Sequence, residues 1–282
     1  MAILSLYIYG MKKFRLDLLT VERGLFATRQ AAQTAIMDGA VLVNGEKCTK
    51  PGMNIAEGAK IELIPGFSVP KYVSRGGLKL EKALDEFVID VAGRVCVDVG
   101  ASTGGFTDCL LKRGAERVYA VDVGYGQLDW SLRSNEKVIV FDRLNARYLQ
   151  PESIYKSREE YATLAVSDVS FISLSKVLPA MVSVLQPERS EIVGLIKPQF
   201  EAGREQVGKG GVVKSAAAHV QAIATVSSAA SALGLVQKHL TFSPVTGPAG
   251  NIEYLIHLAN FGDAGEIDHQ RVVDLAIETL RK

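Results

Sequence analysis

Four charged residues stand where a charge needs either a partner or a task. Lys197, in Leu195-Ile196-Lys197-Pro198-Gln199-Phe200, closes an apolar run that predicts a strand buried on both faces. A lone ammonium there is costly. Asp168, in Ser167-Asp168-Val169-Ser170-Phe171, ends a neighbouring run and is a ready partner. Lys79, in Ser74-Arg75-Gly76-Gly77-Leu78-Lys79-Leu80, and Glu253, in Gly250-Asn251-Ile252-Glu253-Tyr254, complete the set. Amines placed among carboxylates can take a proton when neutral or stabilise a developing anion when charged.

A second constellation suits ligand binding. Asp98-Val99-Gly100-Ala101-Ser102-Thr103-Gly104-Gly105-Phe106 lies between a predicted strand and a helix expected to begin near Phe106 or Thr107. In an α/β fold this junction binds nucleosides, because glycines let the backbone approach a ligand and the helix start offers free N–H groups. A dinucleotide fingerprint would place glycine at 100, 102 and 105, and Ser102 breaks it. The departure points away from NAD and FAD and toward S-adenosyl-L-methionine, with Asp98 as the acid two residues ahead of Gly100. Asp122 ends the next predicted strand, where a carboxylate can accept both ribose hydroxyls. Asp142 ends the third and is placed to meet an adenine amino group; Asp168, at the end of the fourth, joins the same candidate set.

Parallel strands must hold these groups. From Val95 onward the apolar runs Val95 to Val99, Val118 to Asp122, Val138 to Phe141, Leu164 to Asp168 and Ile192 to Lys197 alternate with helical segments, the rhythm of a doubly wound sheet. Leu235 to Thr241 and Ile252 to Leu258 have no helix-length pattern between them and are expected to pair antiparallel. Gly203 to Val213, glycine-rich with Arg204 and Lys209 and followed by Lys214, reads as a mobile basic loop able to close over substrate. His269 to Lys282 reads as a final helix.

A smaller module precedes this domain. Thr28 is a helix N-cap, and Ala31, Ala32, Ala35 and Ile36 form one stripe that stops at Gly39. Val41-Leu42-Val43 runs into Asn44-Gly45, a strong hairpin signal, and Ile61 to Ile64 supplies another strand. The expected organisation is therefore a small α+β domain over 11–64, a linker over 65–73 and a larger domain over 74–282. Net charge is only +1, yet Met11 to Lys79 carries eleven Lys/Arg against six Asp/Glu, a distribution that suits phosphate binding by the first module.

Arg15-Leu16-Asp17, Thr28-Arg29-Gln30-Ala31-Ala32 and Asp38-Gly39-Ala40-Val41-Leu42-Val43-Asn44-Gly45-Glu46 together resemble an S4-type RNA-binding domain. The resemblance implies that Arg29 and the helix turn around it approach structured RNA, with Arg15, Arg23, Lys47 and Arg75 as further candidate contacts. Lys79, Asp168, Lys197 and Glu253, in that chain order, resemble the Lys-Asp-Lys-Glu tetrad of the FtsJ-like ribose 2′-O-methyltransferases. As a whole, residues 14 to 260 are similar to the TlyA/hemolysin A family of ribosomal RNA methyltransferases. That similarity implies a Rossmann-like class I methyltransferase domain with a seven-stranded mixed sheet behind an S4-type module. It also implies S-adenosyl-L-methionine as cofactor and methylation of a cytidine 2′-hydroxyl in small- or large-subunit ribosomal RNA, with ribosomal RNA or subunits as partner rather than DNA or a membrane.

A ribose hydroxyl is a poor nucleophile and the sulfonium methyl is already activated, so the protein must chiefly align the two and remove one proton. Lys197 is the candidate base, which requires its neutral amine; burial and Lys79 favour that form, Asp168 and Glu253 oppose it. In the competing reading Lys197 stays charged and stabilises the alkoxide. Neither needs a metal.

Composition sets the remaining bounds. At 282 residues two domains are expected, and 48% hydrophobic with 22% charged residues fits folded globular structure. Cys48, Cys96 and Cys109 are too sparse for a disulfide framework or zinc site, which points to a reducing compartment. The first ten residues lack a basic n-region, and no apolar stretch approaches the roughly 18 to 20 residues of a membrane span, so a cytoplasmic location is expected. Two other functions stay open: a membrane-active hemolysin, which would lyse cells without cofactor and regardless of Lys197→Ala, and a ribosome-assembly RNA binder with a vestigial methyltransferase domain.

Overall fold

The computed structural model describes residues 12–26, 28–67 and 70–281. The reading of Met1 to Gly10 lies outside them. The chain divides into two compact units between Pro70 and Lys71.

The first unit contains β1 (Lys13–Arg15), α1 (Leu16–Glu22), α2 (Arg29–Met37), β2 (Val41–Val43), β3 (Glu46–Cys48), β4 (Asn54–Ala56) and β5 (Ile61–Leu63). Thr28 caps α2 as its sequence predicts, its hydroxyl accepting from the Ala31 N–H at 3.1 Å. Asn44 and Gly45 both adopt left-handed backbone (φ 53° and 84°), the geometry of a type I′ turn, and β2 and β3 pair antiparallel across it. Leu16, Leu19, Ala32, Ile36 and Val41 form the buried centre.

In the second unit, α3 (Gly76–Glu86) precedes the alternation β6 (Val95–Val99), α4 (Gly105–Lys112), β7 (Arg117–Val121), α5 (Trp130–Arg133), β8 (Val138–Phe141), α6 (Pro151–Ile154), β9 (Leu164–Ser167), α7 (Leu178–Ser183), β10 (Glu191–Ile196), α8 (Pro198–Glu201) and α9 (Ala216–Ala232). The chain ends with β11 (Val236–Phe242), β12 (Tyr254–Ala259) and α10 (His269–Leu280). Seven strands form one sheet in the order β11-β12-β10-β9-β6-β7-β8. Only β12 runs against the others, pairing antiparallel with both β10 and β11, as the absence of a helical pattern between the last two apolar runs requires.

Strand side chains alternate between two cores. Cys96, Val118, Leu164, Val166 and Val193 pack with Leu80, Leu84, Phe106 and Leu110 of α3 and α4. On the opposite face Val97, Val99, Tyr119, Val121 and Ile192 pack with Leu178, Met181, Ile223, Val226 and Val273 of α7, α9 and α10. Both faces are covered, which explains why the strands read as continuous apolar runs. Tyr72 and Val73, expected from sequence to be linker, pack with this unit. Tyr72 is buried, its ring occupying the space that a side chain at Gly77 would need, and the Val73 N–H donates to Asp108 at 2.9 Å.

Candidate active site

Strand order reverses at β6, since β7 and β8 extend the sheet to one side and β9 and β10 to the other. In open α/β sheets the crevice beyond the carboxyl ends at this reversal is the ligand site. Gly100 leaves β6 and Asp168 leaves β9 at that point. Gly100 has φ 87°, and a Cβ there would lie 3.0 Å from Val169 Cγ1 and 3.2 Å from the Asp168 carbonyl oxygen. Gly105 is constrained by contact alone: a Cβ there would strike Ser74 and the Gly77 backbone, so α3 and α4 bring their first turns together because position 105 lacks a side chain.

Two adjoining cavities open there. The first, of about 290 Å³, is lined by Ser74, Arg75 and Lys79 around α3, by Gly100 to Thr103 with Gly105 and Phe106, and by Asp168, Ser170, Lys197 and Glu253. Val245 to Pro248 close its remaining side. The second, of about 500 Å³, shares Gly100, Ser102, Asp168 and Ser170 and extends over Asp122, Leu144, Asn145 and Val169 to Phe171.

Within the first cavity the four charged residues meet. Asp168 bridges both amines, Oδ1 lying 2.6 Å from Lys197 Nζ and Oδ2 3.3 Å from Lys79 Nζ. Lys79 also donates to Glu253 Oε2 at 2.6 Å, and Lys197 to Ser170 Oγ at 2.7 Å. Lys79, Lys197 and Glu253 are 8%, 7% and 1% exposed, so the charges compensate one another with little help from water. Burial raises the Glu253 carboxyl against the pull of Lys79 and Lys197. Burial also works to lower Lys79, but Asp168 and Glu253 outweigh it and leave the amine above its ordinary value. Lys79 is therefore a fixed positive charge.

The ligand-binding candidates separate into groups. Asp122 rims the second cavity and accepts from the Ser102 N–H at 2.8 Å and the Gly124 N–H at 2.7 Å, pinning the glycine loop to the end of β7. Asp98 lines neither cavity. It is wholly buried, its Oδ2 accepts from the Thr107 hydroxyl at 2.6 Å, its Oδ1 has no partner, and burial pushes it up to about 7. α4 starts at Gly105, one residue earlier than expected, and its N-cap Gly104 takes left-handed backbone (φ 96°) covered by Leu128 and Leu132. Asp142 is not brought to either cavity: both its oxygens accept from Arg133 Nη2, at 2.9 and 2.8 Å, and the Gly126 N–H reaches it as well. The loop two residues further on, Leu144 to Ala146, lines the cavity instead.

Sequence reasoning missed Ser170, Asn145 and Val245 to Pro248. The signal for Ser170 and Asn145 is position, since residues just past a strand's carboxyl end rim the crevice. Phe171 was also passed over; its ring is 92% exposed at the second cavity and sits 5.5 Å from that of Phe200. The 203–213 loop lines neither cavity among the described residues, and its far end is held by Asn251, which accepts from Val213 and donates to Gly211.

Of the candidate RNA contacts, Arg15 and Arg29 converge on one buried carboxylate. Asp17 accepts from Arg15 Nε at 3.0 Å, Arg29 Nε at 2.9 Å and Gln33 at 2.8 Å, and the Arg15 guanidinium holds it well below the usual carboxylate range. Both arginines remain about half exposed. Arg23 instead donates to the Ala59 and Glu57 carbonyl oxygens, tying α1 to the β4–β5 turn. The exposed Lys47 side chain lies over Gly39, whose missing side chain leaves it room.

The model of the FtsJ-like methyltransferases matches residues 72–260, and that of the S4 domain residues 14–61. The chain belongs to the FtsJ-like methyltransferase family. Among relatives of this family member, the Bacillus subtilis protein YqxC, provisionally named an rRNA methyltransferase, is 47% identical over 96% of each chain. The Mycobacterium tuberculosis 16S/23S rRNA (cytidine-2′-O)-methyltransferase TlyA is 44% identical over 88% of this chain and 90% of its own. A solved Streptococcus thermophilus structure, provisionally called a hemolysin, is 42% identical with a TM-score of 0.73, covering 96% of this chain and 98% of that one.

Proposed function

We propose that this protein transfers a methyl group from S-adenosylmethionine to the 2′-hydroxyl of a cytidine in ribosomal RNA. The observation that carries the reading is the Asp168 carboxylate holding Lys79 and Lys197 in a cavity that opens onto a second, nucleoside-sized one. The names of the relatives support the nucleotide and the substrate class.

The second cavity fits the donor. Asp122 offers a carboxylate at a strand end to a ribose, and Gly100, where a Cβ would press on Val169 and the Asp168 backbone, lets the loop pass the crevice without a side chain. When bound, S-adenosylmethionine supplies an activated methyl group. The chain's own residues do the rest. Lys197, positioned by Asp168 and Ser170, meets the ribose hydroxyl and either takes its proton as a neutral amine or, charged, stabilises the forming alkoxide while the proton passes to solvent water. Lys79, paired with Glu253, fixes Asp168, and the two carboxylates balance the two amines. Arg15 and Arg29, held by Asp17, suit RNA phosphates on the S4 unit.

Incubating the protein with labelled S-adenosylmethionine and naked ribosomal RNA, separated subunits or intact ribosomes tests the reading. RNA label that Lys197→Ala abolishes is expected. No label in any of the substrates would defeat it.

A further inference from the structure

We propose that the loops following β7 and β8 form a stacking platform for unpaired bases of the substrate RNA, an inference that rests on the methyltransferase reading. Tyr125, Trp130 and Tyr148 are 70%, 71% and 66% exposed. Scattered exposed apolar residues are ordinary, but here three large rings fall within residues 125–148, on the segments that border the second cavity, which Val123 and Gln127 line from one loop and Leu144 to Ala146 from the other. The segment bearing Trp130 reaches the glycine loop through the Asp129 N–H, which donates to the Thr103 carbonyl oxygen at 3.2 Å.

Two of the rings carry guanidinium groups. Arg143 lies 4.3 Å from the centre of the Tyr125 ring and Arg147 5.8 Å from that of Tyr148. Arg143 takes left-handed backbone (φ 60°), uncommon for a side-chain-bearing residue, and its N–H donates to the Gly124 carbonyl oxygen at 2.9 Å, locking the two loops together. Arg133 is neutralised by Asp142, whereas neither Arg143 nor Arg147 takes part in an ion pair among the described residues. Uncompensated cations beside exposed aromatic faces match a single strand, whose phosphates meet the guanidiniums while its bases stack on the rings. The platform would hold nucleotides flanking the target and so add affinity without touching the reacting atoms.

Trp130 is the chain's sole tryptophan, so its emission reports on this surface. The full-length protein is titrated with an unstructured pyrimidine oligoribonucleotide and, separately, with inorganic polyphosphate as a charge-only probe. Quenching by the oligonucleotide but not by polyphosphate is expected. The pair Tyr125→Ala and Tyr148→Ala, and the pair Arg143→Gln and Arg147→Gln, should each raise the midpoint about tenfold. Tyr125→Phe with Tyr148→Phe should stay within twofold of the unaltered protein. Absence of quenching, whether or not filters retain the RNA, overturns the platform, as does equal quenching by polyphosphate. So does a comparable loss of S-adenosylmethionine affinity in the alanine pair, because the rings would then belong to the donor site. Failure of the unaltered protein to methylate any ribosomal RNA would count against the proposed reaction alone, since the emission readout needs no turnover.

Discussion

Replacing Asp168 with asparagine keeps the side chain's shape and removes its charge. The carboxylate lies 2.6 Å from one ammonium and 3.3 Å from another, and both lysines are more than nine-tenths buried. At an effective dielectric near 20 each contact is worth on the order of 5 kcal/mol before desolvation is subtracted. Breaking a buried pair costs about 3 to 5 kcal/mol net, and because Asp168 is itself 21% exposed the lower figure applies. At roughly 2 to 4 °C per kcal/mol for a domain of this size, Tm should fall by about 6 °C or more. The larger effect is on the reaction. With asparagine at 168 only one oxygen is left to accept, an NH2 group faces the other amine and the charge attraction on Lys197 is gone, and a displacement of about 1 Å at a reacting group lowers rate about a hundredfold. The assay is single-turnover methyl transfer at saturating RNA, with donor affinity measured in parallel by calorimetry to separate lost binding from lost chemistry. A rate within threefold of the unaltered protein, at unchanged Tm, would show that the Asp168 charge does not hold Lys197 in place.

Gly100→Ala should weaken donor binding at least tenfold by calorimetry, because the new Cβ combines a φ of 87° with contact at 3.0 Å to Val169 and pushes on the backbone of Asp168; unchanged affinity would contradict this. Burial raises Asp98 from 3.8 to about 7, so the folded chain retains a proton that the unfolded chain releases, and stability declines as pH rises between about 4 and 7, with a ceiling of about 4 kcal/mol. Asp98→Asn should therefore gain more in Tm relative to the unaltered protein at pH 8 than at pH 5, and an equal difference at both would sink the idea. Asp17→Asn should loosen Arg15 and Arg29 and raise KM for ribosomal RNA about five- to tenfold at nearly constant kcat; a fall in kcat with KM unchanged would place Asp17 outside RNA binding.

Much of this arrangement was legible in the chain because buried parallel strands declare themselves. Val95 to Val99 and Val138 to Phe141 are strands to the residue, and each acid assigned to a strand end lies at or next to one. The short spacing between the last two apolar runs was enough to expect antiparallel pairing, because a crossover helix would not fit. Side-chain destinations were less legible. Asp142 and Asp122 look alike in sequence, but α5 places Arg133 against the first and leaves the second at the cavity rim. Arg23 reads as a free cation until the β4–β5 turn brings two carbonyl oxygens to it. Tyr72 reads as linker until Gly77 leaves a gap that only tertiary packing reveals. In each case the deciding partner comes from a different element, and spacing along one segment carries no record of it.

If the Lys79, Asp168, Lys197 and Glu253 cluster acts on a ribose hydroxyl, nucleoside mass spectrometry of ribosomal RNA treated with the protein and S-adenosylmethionine will show it. 2′-O-methylcytidine is expected to rise with the unaltered protein and to stay at background with Lys197→Ala. Methyl groups found on a base, or 2′-O-methylcytidine formed equally well by Lys197→Ala, would contradict it.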